Sequence, residues 1–134
     1  MDEREVRAIV DEMLTGLDPD FSYKVHHEQF TADMPQSGER LNRENLRAMQ
    51  EHYPNPPTFT LRRVIGAGDV WVVEALGDYS GKLYHMVMIV EFRDGKIWKE
   101  TRYYAEPFDP PAWRAQWVEP IDQSEPTPAG RQSG

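Results

Sequence analysis

Cysteine is absent from this chain of 134 residues. That absence excludes a disulfide scaffold, a thiolate nucleophile, a zinc site built on sulfur and regulation through thiol oxidation. A domain of this size buries roughly two thirds of the surface that its unfolded chain exposes. The chain is therefore long enough for one stable domain with an internal pocket, and too short for two independent cores.

Basic residues and long apolar runs are also scarce. Lys and Arg number 15 against 23 Asp and Glu, which gives a net charge of -8, and they form no basic stripe that could meet phosphates. No stretch approaches ~18 consecutive apolar residues, and Met1-Asp2-Glu3-Arg4 lacks the pattern of a signal peptide. We therefore expect no nucleic-acid partner, no membrane partner and a cytoplasmic location.

Helical signals occur three times in the first half of the chain. Apolar residues at helical spacing over residues 6–17 predict a first helix, with Asp2 as its N-cap and Gly16 at its end. Residues 21–28 fit either a short second helix or an extended piece, and we expect the helix. A third is expected to begin after Asn42 and to stop before the proline-rich stretch that follows it.

The rest of the ordered part is predicted to be sheet. A first strand is expected at residues 28–34, and the Pro35-Gln36-Ser37-Gly38 turn ends it. Four more strands are predicted in succession, at residues 58–65, 69–76, 83–92 and 97–104. Helices first and a run of strands after them predict an α+β domain with an antiparallel meander and helices packed on one face of the sheet.

The C-terminal part has two different characters. Residues 107–119 contain one Phe and two Trp among prolines, so we expect this segment to dock on the body of the domain. Residues 120–134 have few aliphatic side chains and cannot offset their own ordering entropy, which predicts a disordered tail. The expected domain therefore spans residues 1–119.

Three motifs occur in a characteristic order along the chain. They are Met34-Pro35-Gln36-Ser37-Gly38-Glu39-Arg40, then Glu91-Phe92-Arg93-Asp94-Gly95-Lys96-Ile97, then Thr101-Arg102-Tyr103-Tyr104 leading into Pro107-Phe108. Together they resemble the SnoaL-like branch of the nuclear transport factor 2-like superfamily, over nearly the whole chain up to Glu119. The resemblance implies a cone in which a strongly curved, mixed but mainly antiparallel sheet wraps around three N-terminal helices and encloses an apolar pocket.

The resemblance also implies how the protein assembles and which functions are open to it. Members of the superfamily often form a homodimer through the outer face of the sheet, and we expect a homodimer here. They include cyclases, isomerases, dehydratases, hydrolases and pure binding proteins, so the resemblance leaves the reaction open.

The Arg93-Asp94-Gly95 turn decides which side chains face the pocket. A three-residue loop with a left-handed Gly95 would pair Phe92 with Lys96, and we expect this form. A two-residue Asp-Gly turn would instead exchange the partners. The resemblance implies that Trp98, Glu100, Arg102 and Tyr104 line the pocket. In the expected form, Tyr84, Met86 and Met88 of the neighbouring strand lie on the same face.

Glu100 and Arg102 are the candidate reactive pair, because two charges on an inward face are costly unless they pair or take part in chemistry. Glu100 is a candidate base that removes a proton from carbon or activates water. Arg102 and Tyr104 would then stabilise the resulting oxyanion. The competing interpretation is a structural salt bridge between Glu100 and Arg102.

Ligand contacts are expected mainly from aromatic and Met side chains, although the same side chains also fit a plain core. The candidates are Phe30, Met34, Trp71, Tyr84, Met86, Met88 and Trp98, together with His26 near the pocket mouth. No group of His and carboxylate residues has metal-ligand spacing, so we expect neither a metal nor a cofactor.

Ketosteroid isomerases of the superfamily depend on residues that this chain lacks. The position of their catalytic Asp is occupied here by Met34. The strand that carries the Asp of their oxyanion hole offers Met86 and Met88 instead. Their oxyanion hole also takes a Tyr from the first helix, and the first helix predicted here has none. Two functions stay open: a cofactor-independent acid–base enzyme acting on an apolar or aromatic small molecule, and a non-catalytic ligand-binding or dimerisation module.

Overall fold

A computed structural model describes residues 1–16 and 18–122 as helices around one six-stranded sheet. The helices are α1 (Glu3–Thr15), α2 (Pro19–Val25), α3 (Arg43–His52) and a 3-10 helix (Ala112–Trp117). The strands are β1 (His26–Met34), β2 (Glu39–Asn42), β3 (Thr58–Ala67), β4 (Val70–Tyr79), β5 (Lys82–Arg93) and β6 (Lys96–Ala105). Their order in the sheet is β2-β1-β6-β5-β4-β3, with β1 and β6 parallel and the other neighbours antiparallel. The predicted α+β class with a mixed, mainly antiparallel sheet is confirmed.

The helix ends follow from local capping. The Asp2 carboxylate accepts a hydrogen bond from the backbone N–H of Glu5 at 2.8 Å, and the Asn42 side chain accepts one from the backbone N–H of Asn45 at the same distance. Both groups satisfy backbone donors that have no partner within the helix. The predicted caps of α1 and α3 are therefore confirmed. α2 begins earlier than predicted because Asp18 caps it and Pro19 occupies its first turn.

The concave face of the sheet holds the core. α1 packs on β3, and α3 packs on β1 and β2. Val6 and Val10 of α1 and Leu46 of α3 are buried there, facing side chains from the strands. The largest of these strand side chains are Phe30, Trp71, Met88, Phe92 and Ile97.

Strand β2 was not expected from the sequence. It pairs with β1 through a turn at residues 35–38, with Met34 opposite Glu39. Its four residues include a single apolar side chain, Leu41, so the alternation that marks a half-buried strand is absent. Arg40 binds Asp33 across the ladder with Nε–Oδ1 and Nη2–Oδ2 distances of 2.6 and 2.9 Å. This exposed edge strand therefore combines a backbone ladder with a surface ion pair.

The β5–β6 hairpin differs from the prediction at its turn. Arg93 pairs with Lys96 through a two-residue turn, in which Asp94 and Gly95 have φ values of +54° and +75°. The predicted pairing of Phe92 with Lys96 is wrong, since Phe92 lies opposite Ile97. Such primed turns match the twist of the two strands.

A bulge in β6 returns the residues beyond it to the face that was predicted for them. Because the register shifts between Glu91 and Phe92, Trp98 is the extra residue of β6. The facing pairs beyond the bulge are Val90 with Glu100, Met88 with Arg102, and Met86 with Tyr104. Glu100, Arg102 and Tyr104 therefore share the inner face, as predicted, for a different structural reason.

The segment after β6 does not pack on the domain as predicted. Phe108, Trp113 and Trp117 are each more than 70% exposed, and Ile121 is 79% exposed. The segment forms a short 3-10 helix at Ala112–Trp117, and its aromatic rings remain exposed. Leu17 of the predicted first helix and residues 123–134 of the predicted tail lie outside the described residues.

Candidate functional site: a cavity above a buried ion pair

A cavity of about 380 Å³ lies at one end of the sheet. One wall comes from the end of α1, the start of α2 and the face of α3 that carries Leu46 and Met49, and the other from the start of β3 and the ends of β4 and β6. The apolar part of the lining includes Leu14, Leu46, Met49, Pro56 and Phe59. The polar part includes Asp18, Ser22, Tyr53, Tyr79, Arg102 and Tyr104. An apolar wall with a few convergent polar groups is typical of small-molecule sites.

Arg102 and Glu100 form an ion pair at the sheet side of this cavity. Nε and Nη2 of Arg102 both donate to Oε1 of Glu100, at 2.8 and 2.5 Å. The Glu100 side chain has no exposed surface, while the Arg102 side chain is 16% exposed and contributes to the lining. Glu100 is therefore separated from the cavity by its own partner.

His26 contacts the same carboxylate from the other side. Its Nε2 lies 3.5 Å from Oε2 of Glu100, and its ring stacks on Phe30 with centroids 3.9 Å apart. Both His26 and Phe30 are almost completely buried. The parallel pairing of β1 with β6 brings His26 here, opposite Ile97. His26 was expected near the pocket mouth and lies instead in the interior.

The electrostatics of the pair keep both groups charged. Burial alone would raise the pKa of Glu100, but the positive charge of Arg102 and the contact with His26 outweigh it and lower that pKa to about 2. Burial would likewise lower the pKa of Arg102, and the Glu100 carboxylate instead raises it. A carboxylate with so low a pKa is a weak base at neutral pH.

Tyrosine side chains supply uncharged polar groups to the cavity. Burial, followed by the neighbouring Tyr104 and Tyr53, raises the pKa of Tyr79. Its hydroxyl therefore stays protonated at neutral pH and is available as a donor. The Tyr79 ring makes edge-to-face contacts with Phe59 and Tyr84, at centroid distances of 6.1 and 5.3 Å.

Two further features position these rings. The Gln36 side chain donates to the Tyr104 carbonyl at 2.7 Å and accepts from the Tyr104 N–H, so the β1–β2 turn holds the end of β6. A Cβ at Gly77 would lie 3.0 Å from ring carbons of both Phe59 and Tyr79. Gly77 therefore gives these two rings the space they occupy beside the cavity.

The sequence-predicted site residues separate into distinct groups in the structure. Arg102 and Tyr104 line the cavity. Phe30, Trp71, Met86 and Met88 are buried, and the Trp71 indole N–H donates to the Gly68 carbonyl at 2.8 Å. Tyr84 stands behind Tyr79, with its hydroxyl 3.3 Å from Glu106, and Met34 lies at the end of β1.

Trp98 is placed away from the cavity. As the bulged residue it lies beside Lys99, opposite Glu91 on the outer face of the sheet. The Arg93 guanidinium lies 4.2 Å from the centre of its ring and the Lys99 ammonium 4.9 Å. Trp98 therefore packs against two cations, and its expected place on the pocket face is wrong.

Most of the apolar lining was missed by sequence reasoning. Leu14, Leu46 and Met49 occupy helical stripes whose spacing predicts burial without indicating what they contact. Tyr53 and Tyr79 also gave no clear signal, because a Tyr at the end of an element usually packs with its hydroxyl in water. Within residues 1–16 and 18–122, no group of three or more His, Asp or Glu is arranged to hold a metal ion.

Residues 6–100 of this chain match the family model of the SnoaL-like domain. The chain belongs to the SnoaL-like family of the nuclear transport factor 2-like superfamily. A search of curated protein sequences finds no match. None of the helices in the described part of the chain is long and apolar enough to span a membrane.

Solved structures of the superfamily share the fold. An NTF-2 like protein of unknown function from Burkholderia xenovorans is 37% identical, with a TM-score of 0.81 over 90% of this chain and 98% of that one. A putative ketosteroid isomerase from Kribbella flavida is 20% identical, with a TM-score of 0.79 over 92% and 95%. A hypothetical protein with a ketosteroid isomerase-like fold from Catenulispora acidiphila, solved with trimethylamine, is 19% identical, with a TM-score of 0.63 over 75% and 85%.

Proposed function

We propose that this protein binds a small apolar or aromatic molecule in the cavity between its helices and the end of its sheet. The observation that carries the proposal is the combination of an apolar wall with the guanidinium of Arg102 and the hydroxyls of Tyr79 and Tyr104. Apolar surface supplies affinity for the body of such a ligand, and a few fixed donors orient it. The Catenulispora relative, whose structure holds trimethylamine, supports a small-molecule site in this fold.

Formation of a homodimer through the outer face of the sheet is the second part of the proposal. Ile65, Val72, Ile89 and Thr101 are directly paired across four strands and form a mostly apolar row on that face. Tyr103 lies beside this row and is 41% exposed. Contiguous apolar surface of this kind marks interaction sites on protein surfaces.

Acid–base catalysis is the second candidate function. It is favoured by Arg102 and Tyr104, which line one cavity and offer donors to a developing oxyanion. Glu100 would be the base, and its contact with Arg102 and its low pKa weigh against that role. Under this alternative, Glu100→Gln would abolish turnover while keeping ligand binding.

Native mass spectrometry of freshly purified protein tests the proposed function. We expect a dimer that carries a reproducible extra mass, which is released when the same sample is denatured. The released mass would identify the ligand by size. A dimer without extra mass would contradict a tightly bound ligand, and a monomer would contradict the outer sheet face as an interface.

A further inference from the structure

Arg102 presents its guanidinium to the cavity with its positive charge compensated from behind. Two of the five N–H groups of the guanidinium are held by one oxygen of Glu100. Because the Glu100 carboxylate is completely buried against Arg102, its negative charge offsets the guanidinium charge within the wall of the cavity. His26 contacts the same carboxylate at 3.5 Å but does not line the cavity. The remaining N–H groups lie beside the Tyr104 side chain and can donate to its hydroxyl or to a ligand.

The rest of the lining offers a ligand no compensating positive charge. In the described part of the chain, Arg102 is the single Lys, Arg or His side chain that lines this cavity, and the other charged side chain there is Asp18. The protein as a whole carries a net charge of -8. An anion entering the cavity would therefore lose its hydration without gaining a net attraction.

Neutral donors are well represented at the same place. Tyr53, Tyr79 and Tyr104 belong to the lining. Burial, followed by the other two tyrosines, raises the pKa of Tyr79, so its hydroxyl is protonated. Ser22 adds a further hydroxyl. Such groups donate to a carbonyl oxygen without requiring that the ligand be charged.

We propose that this cavity selects uncharged ligands that carry an acceptor oxygen, such as a ketone, ester or lactone, and discriminates against carboxylates of the same shape. The inference rests on the proposed ligand-binding function and adds to it the chemical class of the ligand. Its physical basis is the ion pair: Glu100 leaves Arg102 its hydrogen-bond donors and removes its net charge.

A matched pair of probes tests this inference on the full chain. 2-Acetylnaphthalene and 2-naphthoate have nearly the same shape, and only the second is charged at pH 8. By calorimetric titration at that pH, we expect the ketone to bind at least about tenfold more tightly. Equal or tighter binding of the carboxylate would overturn the inference and leave ligand binding intact. Binding of neither probe would contradict the proposed function itself.

Glu100→Gln provides the second arm of the test. Removal of the compensating charge should raise the affinity for 2-naphthoate at least about tenfold and change that for 2-acetylnaphthalene less than about threefold. Asp18→Asn is the matched control, because it changes the net charge equally at the cavity and retains a side chain that caps α2. A similar gain in naphthoate affinity in both variants would contradict the special role of the pair.

Tyr79→Phe keeps the inference testable if Glu100→Gln does not fold. It removes one neutral donor and retains the ring that packs on Phe59. We expect the affinity for 2-acetylnaphthalene to fall about three- to tenfold, with normal melting behaviour. An unchanged affinity for the ketone would contradict the role of the hydroxyl cluster.

Discussion

Two of the Arg–carboxylate pairs in the sheet, one at its edge and one in the interior, have different surroundings. Arg40 holds both oxygens of Asp33 at the exposed edge, where the side chains are 66% and 36% exposed. Arg102 holds one oxygen of Glu100 in the interior, where the side chains are 16% and 0% exposed. The edge pair has the better hydrogen-bond geometry, but water and salt screen it. Burial, rather than geometry, therefore decides which pair matters for stability and for the cavity.

Of the changes to the two ion pairs, breaking the interior pair is expected to have the larger effect. Glu100→Gln should lower the free energy of unfolding by roughly 1 to 3 kcal/mol, because it leaves the Arg102 charge without its partner in a largely buried position. Urea denaturation would measure the change. Asp33→Asn is the matched control at the edge, and we expect no resolvable change in its midpoint. Equal losses in both variants would contradict the comparison.

Acid titration should test the interior pair in a second way. Since the folded pKa of Glu100, about 2, is below its usual value of about 4.5, its contribution to stability is complete above pH 4.5. That contribution is lost as the pH falls from about 4.5 towards 2. The difference in Tm between the wild type and Glu100→Gln should therefore shrink over this range. A difference that stays constant from pH 6 to pH 2.5 would show that the ionised carboxylate is not what stabilises the fold.

A smaller effect is expected from the turn that sets the register of Glu100. Gly95 has φ of +75°, which L residues with a Cβ adopt at a cost, so Gly95→Ala should destabilise the protein by about 1 kcal/mol. Thermal melting would measure this change. Lys96→Ala, one position further, is the control and should be close to neutral. If both substitutions have the same effect, the left-handed turn does not set this register.

The smallest effect is expected outside the sheet. Trp113 is 74% exposed, so Trp113→Ala should leave the Tm unchanged. Trp71→Ala is the contrasting variant, since Trp71 is buried in the core and its removal should cost about 3 kcal/mol or more. A clear loss of stability in Trp113→Ala would indicate that the segment packs on the protein in solution.

Much of the fold was predictable because its signals are local. Asp2 and Asn42 are caps that can be recognised from a few neighbouring residues, and the long strands alternate in a way that short windows reveal. Strand β2 was not predictable in this way, because its four residues carry a single apolar side chain, Leu41, and its ladder with β1 follows the turn at residues 35–38 rather than apolar alternation.

The candidate site was less predictable because tertiary packing creates it. Glu100 and Arg102 were recognisable as an inward pair from strand spacing, yet nothing local indicates that Glu100 lies behind Arg102. The bulge at Trp98 also has no clear sequence signal, since the Asp-Gly turn next to it is compatible with either loop length. Leu14 and Met49 join the lining only because α1 and α3 converge at one end of the sheet.

A crystal structure of the protein soaked with 2-acetylnaphthalene would test the central claim most directly. We expect the rings against Leu46 and Phe59, and the ketone oxygen within about 3.2 Å of the Arg102 guanidinium or of a lining Tyr hydroxyl. Glu100 should remain bound to Arg102 behind the ligand. A ligand located elsewhere, or a Glu100 carboxylate turned into the cavity beside the ketone, would contradict this account of the site.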